Sequence, residues 1–176
     1  MRRSAKAVNI GIVYGISAFS LSQDVGVSPD EAKRYIDSYL SKYHGVRDFM
    51  AATVEQGTQE GCVATLYGRR RYIPELKYGK FMVREAAKRM AMNAPIQGTA
   101  ADIIKLAMLR VDKALKAAGL EAKLVLQVHD ELIVECPEAE ADTVASLVTR
   151  EMEAAARLAV PLIAEAKIGK SWYEAK

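Results

Sequence analysis

The 176 residues hold only two cysteines, two histidines and one tryptophan. Cys62 and Cys136 are too few for a disulfide scaffold, and neither has the Cys-x-x-Cys spacing or histidine neighbour of a zinc site. That fits a reducing compartment and predicts two small buried hydrophobes. No apolar run reaches the roughly 18 residues of a membrane span, and the first residues lack the basic, apolar, small-residue order of a signal peptide. A cytoplasmic chain with no membrane partner is expected. Neither sign of charge dominates: 25 Lys and Arg against 22 Asp and Glu leave +3, too little to argue for a nucleic-acid partner. What is present, 51% hydrophobic and 27% charged residues, is the balance of a globular chain, and its length suits one domain. Internal repeats, low-complexity tracts and linkers are lacking too.

The order of elements is read from caps, breakers and periodicity. Arg2, Arg3 and Lys6 stand in a helix-compatible stretch with no capping residue before them, so the sequence is expected to start within a helix, as a fragment or from an alternative start. Ser28-Pro29-Asp30-Glu31 offers a serine cap, a proline at the first helical position and a glutamate at the third. Tyr35, Ile36, Tyr39, Leu40 and Tyr43 come next at helical spacing, and Gly45 and Gly61 are expected to punctuate this helix and the next. Residues 62–66 and 72–73 are short β-rich runs around Gly68-Arg69-Arg70-Arg71, the pattern of a small hairpin. A helix is predicted over 81–93, ended or kinked by Pro95, which has no amide donor, and another over 99–118, closed by Gly119. Residues 123–128 and 131–136 flank His129-Asp130 as a second hairpin. An alanine-rich helix over 138–158 and a strand-like run over 161–168 complete the chain. Long helices beside a few hairpin strands predict an α+β fold.

Four groups of residues carry chemistry. Arg2, Lys6, Ile10 and Tyr14 recur every four positions, and at about 100° per residue each step drifts only about 40°, so they share one broad helix face. Two cations followed by an apolar contact and a ring can grip a triphosphate and rest beside a base, or they are a solvated basic helix end. Arg89 and Asn93 are also four apart, with Gln97 just past Pro95. All three can hydrogen-bond base or sugar edges, although a polar helix face is the plainer reading. Tyr67-Gly68-Arg69-Arg70-Arg71-Tyr72 sets three arginines in a turn, either a phosphate-contacting surface or a solvated loop. Gln127-Val128-His129-Asp130-Glu131 projects a carboxylate pair at a hairpin tip, where oxygens can meet a hard cation such as Mg²⁺ without being buried. Aspartate is also simply a favoured turn residue.

The string from Arg2 through Lys6 and Ile10 to Tyr14-Gly15 resembles motif B of the family A DNA polymerases: arginine, three residues, lysine, an aromatic position, then Tyr-Gly. By that resemblance Arg2 and Lys6 bind the phosphates of the incoming nucleotide, Lys6 has a catalytic role, and Tyr14 sits at the nascent base pair. Ile10 stands where the family has Phe or Tyr, and an isoleucine cannot stack on a base as a ring does. The string from Arg84 to Asp102 is similar to the family's palm segment, in which Arg89, Asn93 and Gln97 would read the minor-groove acceptors common to all base pairs. Gln127-Val128-His129-Asp130-Glu131 followed by Leu132-Ile133-Val134-Glu135 looks like motif C. That places the metal ligand on Asp130, a secondary acidic group on Glu131, and Gln127 and His129 against DNA, with His129 at the primer terminus. The family also carries the Gly-Arg-Arg string, which puts Arg69 and Arg70 on DNA. The resemblance extends to the closing Gly169-Lys170-Ser171-Trp172-Tyr173.

The resemblance implies the C-terminal part of a DNA-directed DNA polymerase acting in replication and repair, with primer-template DNA and dNTP as partners. Residues 1–60 would be a fingers-like helical part and 61–176 a palm part, whose antiparallel sheet carries the motif C hairpin. Two-metal phosphoryl transfer needs carboxylates on more than one segment. The family's motif A, which holds the other aspartate for Mg²⁺, has no match here, nor has the thumb. The isolated chain is therefore expected to be inactive without the N-terminal remainder of the polymerase, in the same or a separate chain. The alternative is a non-catalytic module that binds primer-template or dNTP. A hydrolase built on His129 and Asp130 lacks a nucleophile and a third partner at recognisable spacing.

Overall fold

The computed structural model describes residues 2–175, with the side chains of residues 2–4 and 7 left aside. Residue contacts divide it into two compact units, one ending at Gly98 and the other beginning at Thr99.

Helices α1 (Arg2–Val13), α2 (Ala18–Val25), α3 (Pro29–Lys42) and α4 (His44–Glu60) open the first unit. Serine hydroxyls start two of them. Ser17 Oγ accepts from the Ser20 N–H at 3.1 Å, and Ser28 Oγ from the Glu31 N–H at 3.2 Å, with Pro29 as the first helical residue. Each supplies an acceptor to an amide that the helix itself leaves unpaired. The Glu31 carboxylate turns forward to accept from Tyr35 Oη at 2.7 Å, and this bond and the negative charge hold the Tyr35 phenol above its usual range. The break between α3 and α4 falls at Tyr43 (φ −105°, ψ 60°), not at Gly45, which lies inside α4. Tyr43 leaves the helical dihedrals with its ring 4.7 Å from that of Tyr39. Gly61 does end α4, in the left-handed region at φ 74°.

The predicted small hairpin is present as β1 (Cys62–Ala64) and β2 (Arg70–Tyr72), paired antiparallel with Cys62 opposite Tyr72. A short helix, α5 (Glu75–Tyr78), comes next. Val63, Ile73 and Leu76 meet Ala87, Ala91 and Ala94 in the core of this unit. Gly57 of α4 allows the close approach: a Cβ there would lie 2.9 Å from Val63 Cγ1 and 3.0 Å from Leu76 Cδ1.

Helix α6 runs unbroken from Phe81 to Ala117, 37 residues and about 55 Å at 1.5 Å per residue, with Pro95 inside it. The sequence predicted an end or kink there, and the structure corrects the expected end: the helix continues through Pro95. Proline deletes one main-chain hydrogen bond and costs about 3 kcal/mol. Burial of Ala87, Ala91 and Ala94 on the same stretch offsets that cost.

The second unit takes the C-terminal part of α6 and adds β3 (Lys123–Val128), β4 (Glu131–Glu135), a 3₁₀ turn (Glu138–Glu140) and α7 (Ala141–Glu153). The strands form an antiparallel hairpin with Val128 opposite Glu131, and the register shifts between Leu124 and Leu126. Val111 and Leu115 of α6 pack with Ala122, Val144, Leu147 and Val148, joined by Leu132 and Val134 of β4 and by Cys136 just beyond it. Fully burying a Val or Leu side chain stabilises by about 1.5–3 kcal/mol, so this small core suffices to clamp the hairpin to two helices. The helix expected to reach Leu158 stops at Glu153, where the Ala155 N–H makes a tighter bond to Met152 O at 3.1 Å. The strand expected over 161–168 does not form. A strand exists by pairing, this run has no ladder partner among the described residues, and Pro161 removes one donor.

The architecture is a helix-rich α+β arrangement with two small antiparallel sheets. Among the described residues no helix is long and apolar enough to cross a membrane.

Candidate active site

In the first unit, α1 turns Ile12 inward (2% exposed) and so leaves Lys6, Ile10 and Tyr14 on the outside, the last two 48% and 47% exposed. The four-residue spacing therefore yields the shared outer face that the sequence predicted. The Tyr14 N–H still reaches Ile10 O at 3.0 Å, which carries the face one residue past the helix end. The expectation for the Arg2 guanidinium lies outside the described residues.

The end of α1 is seated on α6. Asn93 Nδ2 donates to Tyr14 O at 3.3 Å. Gly15 adopts φ 73°, and a Cβ there would lie 2.5 Å from Met92 Cε and 3.3 Å from Arg89 Cγ. Tyr14 and Asn93, 79 positions apart in sequence, are thus neighbours, and Arg89 lies against Gly15. Because α6 continues through Pro95, Arg89, Asn93 and Gln97 form one row at four-residue steps.

The arginine turn closes on the far end of that row. Arg69 Nη2 donates to Gly98 O at 2.9 Å, and the Arg69 N–H is held by Thr65 Oγ1 at 3.1 Å. Arg71 Nη2 lies 3.4 Å from Met90 Sδ. A small cleft of about 80 Å³ results, lined by Thr65, Arg69, Arg70, Arg71, Gln97 and Gly98 among others. Cationic and amide donors from two sequence groups line one concavity, an arrangement suited to anionic or polar ligand atoms.

In the second unit, a two-residue connection joins β3 to β4, and His129, Asp130 and Glu131 are all exposed at its tip. Tight hairpins need a positive φ, and His129 supplies it at 53°, the one non-glycine residue to do so among those described. Histidine adopts this region more readily than most side chains, but the left-handed conformation still costs about 1–2 kcal/mol. The Gln127 side-chain amide donates to His129 O, bracing the turn from within. Glu131 Oε2 accepts from Trp172 Nε1 at 3.3 Å. Asp130 offers one hard carboxylate in the open, suitable for a divalent ion that prefers oxygen ligands. No group of three or more His, Cys, Asp or Glu side chains that could hold a metal occurs among the described residues.

Sequence reasoning named the residues at the hairpin tip but missed two that brace the neighbourhoods. Thr65, which fixes the arginine turn, carried no signal beyond its turn-forming type. Trp172 stands in a closing string to which the sequence assigns no role, and its signal is that it is the chain's one tryptophan.

The model of DNA polymerase family A matches residues 1–174. The chain is 52% identical over 176 residues to DNA polymerase I of Bacillus subtilis (strain 168), which covers 100% of this chain and 20% of that protein. It is 49% identical over 175 residues to DNA polymerase I of Streptococcus pneumoniae serotype 4, covering 99% and 20%. Among solved structures, the POL domain of Pol1 from M. smegmatis, in complex with DNA primer-template and dNTP, superposes with a TM-score of 0.94 at 47% identity. The match covers 99% of this chain and 31% of that one. The chain spans about a fifth of the length of the curated relatives it matches.

Proposed function

Because this chain belongs to DNA polymerase family A, we propose that it is the C-terminal catalytic part of a DNA-directed DNA polymerase, serving template-directed nucleotidyl transfer from dNTP to a primer 3′-hydroxyl in replication and repair. Residues 1–60 are its fingers-like part and 61–176 its palm part. The observation that carries this reading is the hairpin tip: an open Asp130 carboxylate between a conformationally constrained His129 and a hydrogen-bonded Glu131.

The residues divide the work by chemistry. Lys6, with Arg2, meets the triphosphate, and a lysine ammonium there is also a proton donor for the departing pyrophosphate. Ile10 and Tyr14 wall the nucleotide. Arg89, Asn93 and Gln97 present donors at minor-groove acceptors, while Arg69 and Arg70 neutralise backbone phosphate. Gln127 and His129 face DNA at the primer end. Bound Mg²⁺ would supply charge stabilisation at the reacting phosphate, and Asp130 is the ligand this chain contributes. The second aspartate ligand, on this reading, comes from the N-terminal remainder.

The test is reconstitution. The 176-residue chain, alone and together with the N-terminal remainder of a family A polymerase, is assayed for primer extension with Mg²⁺ and dNTPs. Extension is expected only with both parts present and not with Asp130→Ala. Loss of extension with retained primer-template binding would instead favour a non-catalytic binding module.

A further inference from the structure

We propose that the C-terminal turn around Trp172 is a positioning element for the hairpin tip, in which the indole N–H holds the Glu131 carboxylate beside Asp130; this rests on the polymerase reading above. The two residues are 41 positions apart and meet through Trp172 Nε1 and Glu131 Oε2 at 3.3 Å.

The segment that delivers the indole is built, although it contains no helix or strand. After α7 ends, residues 154–175 return irregularly and are tied down along the way. The Ala164 N–H donates to Glu153 Oε1 at 3.2 Å, fixing the return to the last residue of α7. The final turn is then closed from inside. Ser171 O accepts from the N–H groups of Glu174 and Ala175, each at 3.1 Å, and the Lys170 N–H donates to Glu174 Oε2 at 2.9 Å. Gly169 has no room for a side chain, since a Cβ would lie 2.9 Å from the Ala175 backbone nitrogen. A turn closed this tightly fixes the backbone that carries Trp172, and more than half of the residue is covered (42% exposed).

The chemistry of the donor fits the task. An indole N–H donates and cannot accept, and it carries no charge. It therefore orients a carboxylate without neutralising it, whereas lysine or arginine would cancel the charge. A glutamate left alone at an exposed hairpin tip samples many rotamers, and fixing such a side chain costs conformational entropy. Because that cost is met when the chain folds, the carboxylate is aimed before substrate arrives. Trp172 is thus a positioning residue acting through Glu131.

Two measurements test this. Trp172 is the chain's single tryptophan, so its fluorescence in the 176-residue protein reports the contact without background. Glu131→Ala should raise acrylamide quenching of that fluorescence, while Glu131→Gln, whose amide oxygen still accepts, should keep the original value. Unchanged quenching in Glu131→Ala overturns the contact. In the polymerase completed by its N-terminal remainder, Trp172→Phe should lower kcat by about threefold to tenfold, the rate equivalent of one ordinary hydrogen bond, with KM for dNTP little altered. In a Glu131→Ala background the same change should add nothing to the loss. Equal slowing in both backgrounds, or none in either, overturns the positioning role. An inactive completed polymerase overturns the parent reading and the kinetic role with it, and the quenching measurement separates that case from a missing contact.

Discussion

Asn93 Nδ2 donates to the main-chain oxygen of Tyr14 at 3.3 Å, so the residue that the family resemblance would set at the minor groove holds the end of α1 against α6. One donor of the side-chain amide is committed to that bond, and the left-handed Gly15 beside it gives α6 the room to approach.

Removing either half of this joint should loosen it. Asn93→Ala is expected to cost about 0.5–1.5 kcal/mol, the net worth of an ordinary hydrogen bond. Gly15→Ala is expected to cost about 1–2 kcal/mol, because an L side chain resists positive φ, with displacement of the Met92 side chain in addition. Urea unfolding of the two single variants and the double variant checks this, and the neighbours should be non-additive.

Asp130→Ala in the completed polymerase should nearly abolish extension while leaving primer-template affinity largely intact, because the carboxylate acts on developing charge and scarcely on the duplex. Glu131→Ala should be milder. Parallel losses in single-turnover rate and in DNA affinity for Asp130→Ala would show a structural role instead.

On the outer face of α1, Lys6→Ala should raise the dNTP requirement and slow incorporation with little change in DNA binding. Ile10→Phe on the same face should tighten dNTP binding by about 0.5–1.5 kcal/mol, the amount that aromatic pairing adds beyond area burial. Pre-steady-state incorporation at varied dNTP reads both. If neither variant moves nucleotide affinity, the face does not meet the nucleotide.

Cys136 should be slow to alkylate. Burial, and then the charge of Glu140, push its thiol above the ordinary range and keep it protonated. The folded state binds this proton more tightly than the unfolded chain, so the contribution to stability is present below the ordinary thiol pKa and is lost as pH rises through the raised one. Iodoacetamide labelling followed by mass spectrometry should show Cys136 reacting faster in urea than in the folded chain at the same pH. Cys62, buried in the first unit, serves as the internal control.

Features that depend on near neighbours could be read from the sequence. The face shared by Lys6, Ile10 and Tyr14 comes from helical arithmetic, the caps at Ser17 and Ser28 from local hydrogen bonding, and the β3–β4 hairpin from two apolar runs around a polar pair; the Ser28 cap, the helical face and the hairpin were foreseen. Features that depend on distant partners escaped. Pro95 stays within a helix because core alanines of the same stretch hold it, and no local rule weighs that burial. Residues 161–168 have the pattern of a strand but no partner strand among the described residues. The Trp172–Glu131 bond joins positions that no periodicity connects. At His129 a local rule fails: the turn favours glycine or asparagine, and a histidine holds the positive φ there.

Helix α6 lends Ala87, Ala91 and Ala94 to one core and Val111 and Leu115 to the other, and the division between the units falls within it, between Gly98 and Thr99. A gene cut at that division would bisect a helix in mid-turn and leave two stubs, each fraying where its backbone bonds were severed. A boundary drawn at the division of the units therefore falls inside a helix and not in a connecting loop. Any attempt to express one of them alone must carry a length of α6 that belongs to the other.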